Sequence, residues 1–154
     1  MAEREPFRLR RVWDVRRLQA LARLAEWSRW QARAEEARRE ASRMEAERRR
    51  AAGALATVGA SLPAVEMAAR WREVEALGRR TEAAHGRARV LAQEAATRQR
   101  EALNARQEEQ AYQRLYWRHR ERQRLEALRR EQARVDEVAG RVAGGRGPHG
   151  GGWR

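Results

Sequence analysis

Three histidines, one glycine-rich run and a large population of glutamates and arginines are the residues of this 154-residue chain whose types could do chemistry. Metal ligation on a helix asks for donors at a spacing such as i, i+4, and His85, His119 and His149 have no partner there. His119 is expected on a solvated face. The run GGRGPHGGG holds enough glycine to cradle a phosphate. It lacks the preceding strand and following helix that a phosphate loop requires. The glutamates fall four residues before arginines, as in Glu35 and Arg39, Glu45 and Arg49, Glu94 and Arg98, Glu126 and Arg130. Such pairs stabilise a helix by ~0.2–0.5 kcal/mol and imply no catalysis. The sequence therefore predicts no catalytic residue, no metal, no cofactor and no small-molecule substrate. What remains is recognition. Trp71 and Trp117 stand among arginines and off the best apolar seams, a combination found in interface anchors.

All basic side chains other than histidine are arginine, 35 of them, and the formal net charge is +13. A GC-rich coding bias accounts for this usage. A functional reading is the bidentate grip of arginine on carboxylate or phosphate. Either way the charge calls for acidic or anionic partners, or serves solubility. With no cysteine there is no disulfide framework. The opening MAEREPFRLRR has no apolar stretch of a secretory signal, and no run approaches the ~18 apolar residues of a membrane span. A cytosolic protein is expected.

The elements that must position these residues are marked by proline. Pro6, Pro63 and Pro148 are the only three, and 56 and 84 residues rich in Ala, Arg, Glu, Gln and Leu lie between them. Proline costs ~3 kcal/mol inside a helix, so these intervals read as two helices. Glu3 and Glu5 before Pro6 suit a first helical turn. Helix 1 is expected over about 7–58. From position 27 to 58 its 3-4 seam reads Trp, Trp, Ala, Ala, Ala, Met, Arg, Ala, Leu, Val, nine of ten apolar. Upstream, Leu9, Val12, Trp13, Leu18, Leu21 and Leu24 suggest a wider face. Residues 59–63 form the turn, with Ser61 as a candidate N-cap. Helix 2 is expected over about 64–142, with a seam from Val74 to Ala105 and a possible break near 78–86 at Gly78 and Gly86. After Ala105 the seam is expected to slip. Tyr112, Leu115, Tyr116 and Trp117 cluster, and Leu125, Leu128, Gln132, Val135, Ala139 and Val142 resume the spacing in a new phase. The fold class is thus all-α: a long antiparallel two-helix coiled coil, a helical hairpin rod, with residues 143–154 as a flexible Gly-rich tail. Helix 2 outruns helix 1. Its unpaired end carries eight arginines between Arg114 and Arg134 against three glutamates.

Two segments are more specific than periodicity: PFRLRRVWDVRR, from Pro6, and EALRREQARVDEVAGR, from Glu126. Phe7, Leu9, Val12, Trp13 and Arg16 in the first, and Glu131, Gln132, Val135, Asp136, Glu137, Ala139 and Arg141 in the second, resemble the FliJ family. These are the small central-stalk proteins of flagellar type III export. Trp13 stands where leucine is usual. RWREVEAL, Arg70 to Leu77, is a weaker third match. The resemblance implies a stalk similar to that of rotary ATPases. It would dock in the hexameric export ATPase, contact the export-gate membrane protein and escort export chaperones. Its place would be the cytoplasm, peripherally associated with the inner-membrane export apparatus. The ATPase interface implied is Leu9, Arg10, Arg11, Trp13, Trp117, Arg118, Arg120, Arg129 and Arg130. The gate interface is Trp71, Leu77 and Ala84, where Leu77 and Ala84 also fit plain seam packing.

Two other readings stay open. Arg-rich helices with interleaved Tyr and Trp could bind nucleic acid through phosphate, although no recognised motif is present and the many glutamates oppose it. A peripheral stalk subunit of a rotary ATPase would share the helices but not the two end motifs. Residue types alone do not separate flagellar export from virulence-type secretion.

Overall fold

The computed structural model describes residues 6–144. Residues 145–154 of the expected Gly-rich tail, with His149, and Glu3 and Glu5 lie outside the described residues, whereas 143 and 144, expected in that tail, are the last of the second helix. Two long helices packed against each other make up the fold: α1, Arg10–Val58, and α2, Ala64–Gly144. A single 3-10 turn, Gly59–Ser61, joins them. The described residues contain no strand. None of their helices is long and apolar enough to cross a membrane.

Local chemistry explains the ends. The α1 entry is a turn in which the Arg10 N–H donates to the Phe7 carbonyl at 3.0 Å, so regular helix starts at Arg10 rather than at Phe7. Ser61 does not cap α2. Its hydroxyl donates backward to the Val58 carbonyl at 2.9 Å and so closes the end of α1, satisfying one of the carbonyls a helix terminus leaves open. Leu62 is extended, as a residue before proline must be. The Pro63 carbonyl then accepts the first bond of α2, from the Met67 N–H at 3.0 Å. The possible break near 78–86 does not occur, and α2 runs on through Gly78 and Gly86. Glycine costs about 1 kcal/mol there. The neighbouring buried positions Thr81 and Ala84 offset that cost through packing, and the Arg48 side chain lies over Gly78.

The described residues part into two compact units, Val15–Glu109 and the paired segments 6–14 and 110–144. Within the first, the helices run antiparallel. As the α1 partner rises from Arg16 to Arg23 to Glu40, its α2 ion-pair partner falls from Glu108 to Glu101 to Arg87. The core of this unit is a line of small side chains: Ala20, Ala34, Ala41 and Leu55 from α1, with Thr81, Ala84, Ala95 and Ala102 from α2. Seven of these eight sit on the seams read from the sequence, and Ala20 is the addition. Thr81 is tolerated because its hydroxyl donates to the Leu77 carbonyl at 2.8 Å.

Of the wider α1 face expected upstream, only Trp13 and Leu24 are half-buried. Ala20, Arg16 and Trp13 continue the 3-4 spacing, Arg23 on the same count is exposed, and Leu18 and Leu21 are exposed by 67% and 56%. The α2 seam does not slip after Ala105. Glu109, Tyr112, Tyr116, His119 and Gln123 are half-buried and continue the 3-4 spacing, with Gln110 and Ala111 half-buried beside them. Polar residues occupy seam positions in both places, and the apolar residues next to them face outward.

Candidate functional site

The most elaborate side-chain arrangement in the Val15–Glu109 unit is an ion-pair network. Arg98 takes a seam position and reaches Glu26 at 3.4 Å and Glu101 at 3.2 Å. Arg23 joins both carboxylates, each at 3.2 Å. The Arg98 guanidinium also lies 5.8 Å from the Trp30 ring, and that of Arg33 5.2 Å, within cation–π reach. The hydrogen bond to Glu101 is the main cause that raises Arg98 above its ordinary pKa, against a smaller lowering by burial. Arg98 was expected to pair with Glu94. It turns instead to carboxylates on both helices, which makes it a clamp. The other expected pairs form: Glu35 with Arg39 at 3.9 Å, Glu45 with Arg49 at 3.1 Å, Glu126 with Arg130 at 3.8 Å. Trp27 and Trp30 are half-buried in the seam. Trp27 Nε1 is buried with no hydrogen-bond partner.

The residues expected to meet a membrane gate divide sharply here. Trp71 is 53% exposed. It is flanked by Arg70 and Arg72, and the Arg72 Nε donates to the Ala68 carbonyl at 3.3 Å. Leu77 is half-buried. Ala84 is 1% exposed, so the seam claims it and it presents nothing to a partner. Of the two readings of Ala84, its burial is that of plain seam packing.

The second unit brings the opening motif together with the basic stretch of α2. Tyr116 is its hub. Trp13 stacks on Tyr116 at 5.0 Å between ring centroids, Phe7 meets it edge-on at 5.6 Å, and Trp117 leans on it at 5.7 Å. Phe7 also lies 5.5 Å from the His119 ring. Such contacts are worth about 0.5–1.5 kcal/mol each beyond area burial. Phe7 and Trp13 are half-buried by them, whereas Trp117 touches the hub and stays 62% exposed. An open cleft of about 550 Å³ runs beside the cluster. Phe7, Tyr116 and His119 line it with Arg8, Arg10, Arg11 and Arg120, and Asp14 is its one acid.

Leu9, Arg10, Arg11, Trp13, Trp117, Arg118 and Arg120 thus share one unit, and all but Trp13 are exposed. Arg129 and Arg130 lie further along α2, in a stretch from Arg124 to Gly144 where every residue is exposed. Tyr116 and His119 were not marked as functional from the sequence. The signal that could have found them was the unbroken 3-4 count from Ala102, which lands on both.

Among the described residues no group of three or more His, Cys, Asp or Glu side chains could hold a metal ion. What the two units offer is charge and exposed aromatic surface. Arginine forks can meet carboxylates, and a half-exposed Trp can fill a shallow pocket. No family model matches the chain, and neither the curated proteins nor the solved structures hold a match to it.

Proposed function

We propose that this chain is a FliJ-like stalk of a type III export apparatus, which docks in a hexameric export ATPase and contacts an export gate. One observation carries the reading. Phe7 and Trp13 of the opening motif close on Tyr116, beside the exposed arginines Arg10, Arg11, Arg118 and Arg120. A surface with apolar and cationic parts of this kind suits the acidic inner loops of an ATPase ring. The paired-helix fold is the further support. On this reading the chain does no chemistry of its own. It favours assembly or coordination of the ring, and Trp71 serves the gate from the other unit. Export chaperones would be further partners.

The test is reconstitution with a purified export ATPase. Arg118, Arg120, Arg129 and Arg130 are changed together to Gln, which keeps helix propensity and removes charge. Stimulation of ATP turnover is expected to fall and to weaken with salt in the unaltered chain, because exposed charges are screened beyond about 8 Å at physiological ionic strength. Gate binding should survive this change and be lost in Trp71→Ala. Full stimulation by the fourfold variant, or loss of both contacts together, overturns the reading. Co-purification of nucleic acid that resists a high-salt wash would favour the nucleic-acid alternative instead.

A further inference from the structure

The α2 stretch from Arg124 to Gly144 has helical geometry but no partner helix, and every residue along it is exposed. Its apolar residues are not scattered. Leu125, Leu128, Val135, Ala139 and Val142, with Gln132 among them, keep a strict 3-4 count, and Leu125, Leu128, Val135 and Val142 are 46–68% exposed. This is the pattern of a coiled-coil seam, and it lies open.

We infer that this stripe pairs with the same stripe of a second copy of the chain, in antiparallel orientation. The charges flanking the seam select both occupant and direction. Residues 124 and 131 lie on one flank, both next to the seam, and residues 129 and 136 on the other. In a parallel pair of copies the two flanks face each other, so Arg124 would oppose Arg129 and Glu131 would oppose Asp136. Both are like-charge contacts. In an antiparallel pair each flank meets itself. Arg129 of one copy then faces Asp136 of the other, and two-fold symmetry repeats the contact. The seam closes on itself in the same register, with Leu125 over Val142, Leu128 over Ala139 and Gln132 over Val135.

The intramolecular pairing leaves the required groups available. Glu121 goes to Arg124, Glu126 to Arg130 and Glu137 to Arg141. Among the described residues Arg129 has no ion-pair partner, and Asp136 accepts only from the Gln132 amide, at 3.1 Å. Among the described residues, the charged groups of this stretch with no ion pair are Arg129, Glu131, Arg134 and Asp136, and the two of them that share the second flank, Arg129 and Asp136, are the two that an antiparallel copy would join. Gln132, a polar residue in an apolar seam, costs stability and fixes register.

The native absence of cysteine makes the test direct. Single variants Leu128→Cys and Ala139→Cys are purified and oxidised alone and as an equal mixture. Antiparallel pairing predicts the crossed disulfide in the mixture at several times the yield of either homodimer. Sedimentation equilibrium between roughly 10 µM and 500 µM, where a weak contact shows itself, should reveal a monomer–dimer equilibrium of the unaltered chain. Arg129→Asp and Asp136→Arg should each weaken it by roughly tenfold, since two attractive contacts become repulsive. The double exchange R129D/D136R should restore it, which a loss of helix would not do. A monomer at every concentration, homodisulfides as abundant as the crossed product, or no recovery in the double exchange each overturns the pairing. None of these measurements needs an export ATPase, so their outcome is separate from that of the proposed function.

Discussion

At the residue scale, alanine decides what this protein tolerates. Ala84 and Ala102 are 1% and 0% exposed, so there is no room and no water at either. Ala84→Asp places a charge without a partner in the seam, and a loss of about 2–4 kcal/mol is expected by urea unfolding. Ala102→Leu overpacks the same seam and is expected to cost about 1–3 kcal/mol. If Ala84→Asp leaves stability unchanged, the seam is not packed as described. Arg98 makes a different prediction. Its pKa is raised in the folded chain, chiefly by Glu101, so its contribution is complete at every pH below the ordinary arginine range. It fades only as pH climbs through the raised value. Thermal unfolding between about pH 6 and pH 10 should therefore show no change traceable to Arg98. Arg98→Met should lower the melting temperature by the same amount at both limits. A pH-dependent difference would mean that another group titrates with it.

At the element scale, the sequence was legible wherever apolar residues carried the seam. Ala34, Ala41, Leu55, Thr81, Ala84, Ala95 and Ala102 all fall on positions counted from the pattern alone, and all are buried. It misled where long polar side chains took seam positions. Arg16 hides half of itself along the seam and sends its guanidinium to Glu108 at 2.8 Å, so a charged letter conceals a packing position. Glu109, His119 and Gln123 do the same on α2. Leu18, Leu21, Leu115 and Trp117 attracted attention and are exposed. The aromatic cluster was legible in part. Phe7 and Trp13 were marked by the opening motif, whereas Tyr116 needed the fold to bring the two segments together. The same contrast between covered and uncovered helix predicts dynamics. Helix without tertiary packing is marginal in water and opens locally at low cost. Amide exchange should be fastest from Arg124 to Gly144, and limited trypsin should cut first after Arg129, Arg130, Arg134 and Arg141, leaving residues up to about Arg124 protected. Equal protection along the whole of α2 would contradict the exposure seen there.

At the scale of the whole molecule, seven hydrophobic residues form the buried core among the described residues, and six of them are alanine. Alanine buries little area, and denaturant sensitivity follows the area exposed on unfolding. The urea m-value is expected at about 1 kcal/mol/M, the low end for small proteins, with a shallow transition. A steep transition would reveal a core larger than the seam. A marginal chain of this kind gains stability from whatever binds its folded state. The uncovered stripe from Leu125 to Val142 is where that gain has a limit, because one helical face admits one occupant at a time. On the proposed function, a second copy laid on it would take Arg129 out of reach of an ATPase ring, and a ring seated on it would take Arg129 away from the second copy. The two become rivals for one currency, the unpaired chain. When most of the protein is paired, doubling its amount does not double what is free, since unpaired chain grows only as the square root of the total. Self-pairing would then act as a reservoir that damps, in the unpaired chain, the rises and falls of expression.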